Sequence, residues 1–330
     1  MKKILYFFSN GELARKDNTL YFEGEAGRRF VPVEDVSDIM IFGEVEINKR
    51  LLEFLSQKEI ILHYFNYYGY YMGSFYPREH LNSGYVTLKQ AEHYINEAAR
   101  LTIAKSFVHG AAKNIRQVLK YYQNRDKAVQ NQITAIENLQ PGIEQSADTA
   151  GLMAVEGNIR EHYYKSFDQI IGDADFCFEE RTRRPPKNYL NTLISFGNSL
   201  MYTLCLSEIY KTRLDPRIGY LHATNFRRFT LNLDVAEIFK PIIVDRIIFT
   251  CLGRKMITTR DFERDTEGIL LKEKAKKCFI EEFDNKLKTT INHREIGRPV
   301  SYRRLIRLEL YKLEKHLMGE KEYVPFVANW

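Results

Sequence analysis

Cysteine is scarce and badly placed for cross-linking. Cys177, Cys205, Cys251 and Cys278 stand 28, 46 and 27 residues apart, with no C-x-x-C pair among them. That spacing excludes a disulfide scaffold and a zinc ribbon, and it reads as four reduced, structural thiols in a reducing cytoplasm. Long apolar runs are also missing. Met1-Lys2-Lys3 leads into Ile4–Phe8, but the run stops at Ser9-Asn10-Gly11-Glu12, short of the about 7–15 residues of a secretory core. Nothing approaches the ~20 residues of a membrane span, so the expectation is a soluble, cytoplasmic protein with no membrane partner. There is no H-E-x-x-H motif, no internal repeat and no low-complexity tract. The missing H-E-x-x-H and the missing cysteine ligand set argue against a zinc hydrolase. Disorder is excluded by what is present: 44% hydrophobic residues, 28% charged, and 21 Tyr with 21 Phe against a single Trp.

The net charge is +6, unevenly divided. Residues 1–84 carry 10 Lys/Arg against 12 Asp/Glu, leaving 39 basic and 31 acidic residues for the rest. A chain that grips a polyanion concentrates positive charge where it makes contact, so the second part is the candidate for nucleic acid. Its excess is nevertheless one that many metabolic enzymes match. The pattern changes at the same place. Ile4–Phe8, Thr19–Phe22, Arg29–Pro32, Ser37–Ile41 and Ile60–Tyr64 read as strands separated by turn signals, with one helix over 48–58. The aromatic tract His63–Tyr76 reads as a hairpin around Gly69. Pro77–Gly84 is a polar break, giving a linker at about residues 77–86. Beyond it the period becomes helical: one long pattern over 87–121, a polar 123–148 with Pro141-Gly142 as a turn, then helices near 148–170, 188–211, 234–252, 259–288 and 300–318. The predicted fold is α+β in two domains. A small β-rich domain, 1–84, precedes a larger all-α domain, 87–330.

Three positions in the helical part carry chemistry. Glu156 sits midway along an apolar helix, beside a stripe of Leu152, Val155, Ile159 and Tyr163. A carboxylate there needs a cation or a hydrogen-bond partner, and an Arg on a neighbouring helix is the plainer account. Gly157 next to it weakens a helix, which suggests close approach of another backbone. His222 lies in a loop opened by Leu214-Asp215-Pro216. Twelve residues later Asp234 and Glu237, three apart, share one face of a helix's first turn, although Asp234 also suits a helix cap. Taken together, one imidazole and two or three carboxylates describe a hard-metal site, for Mg²⁺ or Mn²⁺. Such an ion serves phosphodiester chemistry.

Four stretches carry a resemblance: LMAVEGNIREHYY (152–164), RRPPKNYLNTLISFGNSL (183–200), LDPRIGYLHATNFRRFTLNLDVAEIFKPIIVDRII (214–248) and SYRRLIRLELYKL (301–313). In order and spacing, over about half the chain, they resemble the CRISPR-associated adaptation integrases, a family of metal-dependent DNA endonucleases. The resemblance implies a catalytic ion held by Glu156, His222 and Glu237. Many family members have Asp at the last position, and Glu reaches about one methylene further. Asp234 is carried as an auxiliary acid, and Asn198 stands where the family often has Tyr. The resemblance also implies a homodimer through the N-terminal domains. Two such dimers flank a dimer of a small ferredoxin-like partner, forming a heterohexamer on DNA.

The function so implied is insertion of short foreign DNA fragments into the repeat array. A 3′-OH attacks a phosphodiester, and with water as nucleophile the same site is an endonuclease. Arg183, Arg184 and Lys187, before one helix, and Arg227-Arg228, after His222, are the basic residues nearest the site in sequence. Their expected role is phosphate contact without sequence readout. The competing reading is a non-catalytic helical nucleic-acid-binding scaffold, in which the same acids are internal salt-bridge partners.

Overall fold

The structure, a computed structural model, describes the chain apart from Met1, Ala26, Glu79, His80, Asn82, Arg184, residues 225–228 and 265–267, Arg294, Glu295 and Trp330. It divides into two compact units, Met1–Leu81 and Asn82–Trp330.

The first unit is built on two four-stranded sheets. One has the order β1 (Lys3–Phe7), β5 (Val36–Ile41), β7 (Ile61–Phe65), β8 (Tyr71–Phe75). Its first three strands are parallel and β8 returns antiparallel. The other has the order β4 (Gly27–Pro32), β3 (Thr19–Gly24), β2 (Gly11–Lys16), β6 (Val45–Ile47). β5 is buried along its whole length, as a central parallel strand should be. Helix α1 (Lys49–Gln57) starts where the Asn48 side chain accepts the Leu51 N–H at 3.0 Å, an N-cap that satisfies one orphan donor. One core takes Leu5, Phe7, Leu13, Leu20, Ile39, Ile41, Leu51, Phe54 and Leu62, drawn from both sheets and α1. The β7–β8 hairpin turns at Gly69, whose φ of 81° favours glycine.

The second unit is mainly helical: α2 (Gly84–Ile95), α3 (Glu97–Gln123), α4 (Gln130–Leu139), α5 (Pro141–Gln145), α6 (Thr149–Lys165), α7 (Phe167–Ile171), α8 (Tyr189–Tyr210), α9 (Leu231–Phe239), α10 (Arg246–Gly253), α11 (Glu273–Lys288) and α12 (Tyr302–Leu317). Several differ from the sequence reading. The long pattern over 87–121 is two helices, broken at Asn96, whose side chain caps α3 by accepting the Ala99 N–H at 3.1 Å. Pro141 begins a short helix instead of a turn, a role its fixed φ suits. The stretch 234–252 is interrupted by a π-helical turn at Pro241–Asp245.

The unit is not all-α. Two hairpins, β9 (Phe262–Arg264) with β10 (Ile269–Leu271) and β11 (Thr290–His293) with β12 (Arg298–Ser301), flank α11. β10 is apolar and fully buried, so its residues mimic the start of a helix in sequence. Tertiary bonds fix it as a strand beside α8, with Ile269 N–H donating to Pro186 O and Thr192 Oγ1 donating to Ile269 O. Helix α8 is buried on nearly every side and forms the spine of the unit. Among the described residues no helix is long and apolar enough to cross a membrane, and all four cysteines are free thiols.

Candidate active site

Glu156 comes from the middle of α6, a helix started by Asp148, whose carboxylate accepts the Gly151 N–H at 2.7 Å. One turn on, Arg160 lies on the same face, and its Nε donates to Glu156 Oε1 at 2.8 Å. The cation partner of Glu156 is therefore on its own helix, at i+4, and not on a neighbour. Gly157 faces open space, with nothing within 4 Å of where a Cβ would stand. No other backbone among the described residues explains that glycine.

Glu237 lies on α9 and is buried. Its Oε2 accepts from Arg160 Nη2, and its Oε1 accepts from Lys240 Nζ at 2.5 Å. Lys240 also donates to the Tyr202 hydroxyl at 3.2 Å. Burial alone would raise the Glu237 carboxyl, but the charges of Arg160 and Lys240 outweigh it and hold the group well below the usual carboxylate range. Arg160 is thus the bridge that ties Glu156 to Glu237 across two helices.

His222 is held by Asp234. The Asp234 carboxylate has no exposure. Its Oδ1 accepts His222 Nδ1–H at 2.7 Å and the His222 backbone N–H at 3.0 Å. Its Oδ2 accepts the Tyr220 and Leu221 N–H groups at 2.5 and 3.0 Å. Asp234 therefore does not cap its own helix. It organises the loop that carries His222, and with Nδ1 donating, Nε2 is the nitrogen that keeps a lone pair. Burial works against a charged imidazole here, but the bond and charge of Asp234, aided by Glu237, raise its pKa above the ordinary value.

The loop has further anchors that sequence reasoning missed. The buried Gln90 on α2 donates to Asp215 O and Ile218 O and accepts the Asp215 N–H. Arg100 Nε donates to Tyr220 O at 2.9 Å, and Gly219 N–H donates to Thr230 Oγ1 at 2.8 Å. Arg160 and Lys240 were also missed, although their spacings of four and three from Glu156 and Glu237 are those of helical ion pairs.

The other expected residues are distributed differently. Arg183 and Lys187 are exposed just before α8. Arg184, Arg227 and Arg228 lie outside the described residues. Asn198 is buried on α8, and its Oδ1 has no hydrogen-bond partner. Among the described residues no three His, Cys, Asp or Glu donors stand assembled around one point, and both glutamates are paired with cations, Glu156 with Arg160 and Glu237 with Arg160 and Lys240. The donor chemistry nonetheless fits a hard divalent ion: two carboxylates, and an imidazole whose second nitrogen is already committed to a carboxylate.

The family model for CRISPR associated protein Cas1 matches residues 5–285. The chain belongs to the Cas1 family. It is 61% identical over 330 residues, the whole of both chains, to "CRISPR-associated endonuclease Cas1 2" of Thermodesulfovibrio yellowstonii. The Cas1 structure from Thermotoga maritima superposes with a TM-score of 0.90 at 48% identity, covering 98% of this chain and 99% of that one. A casposase bound to an integration product shares the fold at a TM-score of 0.89 and 21% identity, covering 99% and 93%. The strand-rich start and mainly helical remainder are thus a Cas1 architecture, and Glu156, His222 and Glu237 lie within the span that the family model matches.

Proposed function

We propose that Glu156, His222 and Glu237 take a divalent ion, Mg²⁺ or Mn²⁺, and that the site performs the endonuclease and integrase chemistry of CRISPR adaptation on DNA. When bound, such an ion supplies positive charge for the phosphodiester transition state. The observation that carries this reading is the pairing of His222 with Asp234 on the same short helix as Glu237. A fully buried carboxylate is committed to holding one imidazole in one tautomer, which is the arrangement of a metal-ligating histidine. The salt bridges of Glu156 and Glu237 are what a non-catalytic scaffold would also show. The His222–Asp234 pair is not, because a scaffold gains nothing from orienting a part-exposed imidazole.

The chain's own residues then have distinct tasks. Asp234 fixes the ring of His222. Arg160 bridges Glu156 and Glu237, and together with Lys240 it keeps the Glu237 carboxyl ionised. In integration, the 3′-OH of the incoming strand attacks phosphorus and one phosphorus–oxygen bond of the target strand breaks. Bond number is conserved, and no nucleotide hydrolysis is needed. Arg183 and Lys187, exposed ahead of α8, suit contact with phosphates on either DNA, a role we extend to Arg184, Arg227 and Arg228. We also infer a homodimer through the N-terminal unit, assembly with a small ferredoxin-like partner into a heterohexamer, and residence in the cytoplasm with the DNA.

The test is plasmid nicking and strand joining with Glu156→Ala, His222→Ala and Glu237→Ala, with and without Mn²⁺. Each variant is expected to lose both activities while keeping its helical circular dichroism. Full nicking by any one of them removes that residue from the site.

A further inference from the structure

Arg160 is 8% exposed and spans two carboxylates that belong to different helices. Its Nε holds Glu156 Oε1, its Nη2 holds Glu237 Oε2, and Nη1 is buried without a partner. Lys240 holds the remaining oxygen of Glu237. None of these bonds uses Glu156 Oε2. Two carboxylates held close by one guanidinium repel each other, and left alone they would turn apart. A guanidinium is suited to prevent this, because its planar fork offers several donors in fixed directions. An ammonium is a point charge that neutralises but does not set a spacing. The Tyr164 ring, 5.9 Å from the guanidinium carbon, packs beside it.

We propose that Arg160 is a positioning residue for the metal ligands, bridging Glu156 and Glu237 so that their carboxylates are held at a set spacing before an ion arrives. The inference rests on the reading of those glutamates as ligands. It adds that their arrangement is set by the protein and not by the ion. Charge and geometry make opposite predictions here. A nearby cation repels a divalent ion, so if Arg160 were only a resident counter-charge, removing it would tighten binding. If it is a spacer, replacing it weakens binding even when the charge is kept.

The experiment titrates Mn²⁺ into the full-length protein, following the free-ion electron paramagnetic resonance signal, for wild type, Arg160→Lys and Arg160→Gln. Metal-free melting and the Mn²⁺ dependence of plasmid nicking are measured in parallel. For Arg160→Lys the dissociation constant for Mn²⁺ should rise by about 10–100-fold, the usual cost of losing a ligand's supporting partner. The half-activating Mn²⁺ concentration should rise with it. Should Arg160→Lys not fold, Arg160→Gln carries the same comparison with the charge removed, and weaker binding is again expected. Unchanged or tighter Mn²⁺ binding by a folded variant overturns the proposal, as does lost activity at unchanged Mn²⁺ affinity. Failure of wild type to bind Mn²⁺ is a separate result, which removes the metal reading itself and the inference with it.

Discussion

Gly219 shows how one residue reaches the chemistry without touching it. A Cβ built there would stand 2.7 Å from Thr230 C, 2.8 Å from Asp234 Oδ2 and 2.9 Å from Leu231 N. Two of those atoms are backbone and the third is the carboxylate that holds His222, so none can yield cheaply. Only glycine lets the loop lie close enough for Tyr220 and Leu221 to donate to Asp234. Gly219→Ala is therefore expected to loosen the Asp234–His222 pair. Nicking at limiting Mn²⁺ should fall by about 10–100-fold, as for other losses of a ligand's support. Wild-type nicking at limiting Mn²⁺ would mean that the loop tolerates the shift and that His222 does not depend on it. At this scale the sequence was legible in part. Glu156, His222 and Glu237 stand out because charged and imidazole groups interrupt apolar patterns. Asp234 was visible but its role was not, since a helix cap and a histidine partner look alike in sequence. Gln90, more than a hundred residues before the loop it anchors, left no signal that spacing could detect.

Pro241 explains why the helical run after Thr230 is not one helix. Proline has no N–H to give back to the carbonyl four residues earlier. The chain instead widens into a π turn, with Asp245 N–H donating to Lys240 O at 3.1 Å. Such turns occur often at functional sites, and this one follows directly on Glu237 and Lys240. It also buries Asp245. Both carboxylate oxygens of Asp245 and the facing Tyr163 hydroxyl lack a hydrogen bond of good geometry. Burial pushes the Asp245 carboxyl up to about 7, against the pull of Arg160, Lys240 and the phenol. The folded state then keeps a proton that the unfolded chain releases near the ordinary aspartate value. This contribution to stability is full at low pH and is lost as pH rises towards 7. Asp245→Asn keeps the shape and cannot ionise. Its stability relative to wild type is expected to improve by about 2–3 kcal/mol between pH 5 and pH 8, read from urea denaturation at both. A difference that does not change with pH would place the Asp245 titration elsewhere. The interruption itself was hidden in the sequence, because an apolar run continues through Ile242, Ile243 and Val244. The hairpin before α11 was hidden for a related reason: Gly268 packs against Pro185 and Pro186, 83 and 82 residues earlier in the chain, a contact that local periodicity does not register.

The whole molecule separates its charge and its architecture in the same place. Residues 1–84 are slightly acidic and the remainder carries the positive excess, so on electrostatic grounds the polyanion is expected at the second unit. What the first unit offers is apolar. On its β7–β8 hairpin Tyr64, Tyr67 and Met72 are 48%, 63% and 59% exposed, and β8 is an edge strand of its sheet. Exposed aromatics and methionine are enriched at interfaces, and an open edge invites pairing with a second copy. The unit has its own core, and residues 82–330 form a separate compact unit. A homodimer joined through this hairpin accounts for both features. Light scattering of the full chain is expected to give twice the monomer mass, and residues 82–330 alone a single mass. Tyr67→Glu with Met72→Glu in the full chain should also give the monomer, since burying two carboxylates at an apolar contact costs more than such a contact returns. A full-length monomer, or a truncated chain that dimerises as tightly as the whole, would assign the exposed hairpin to a different partner.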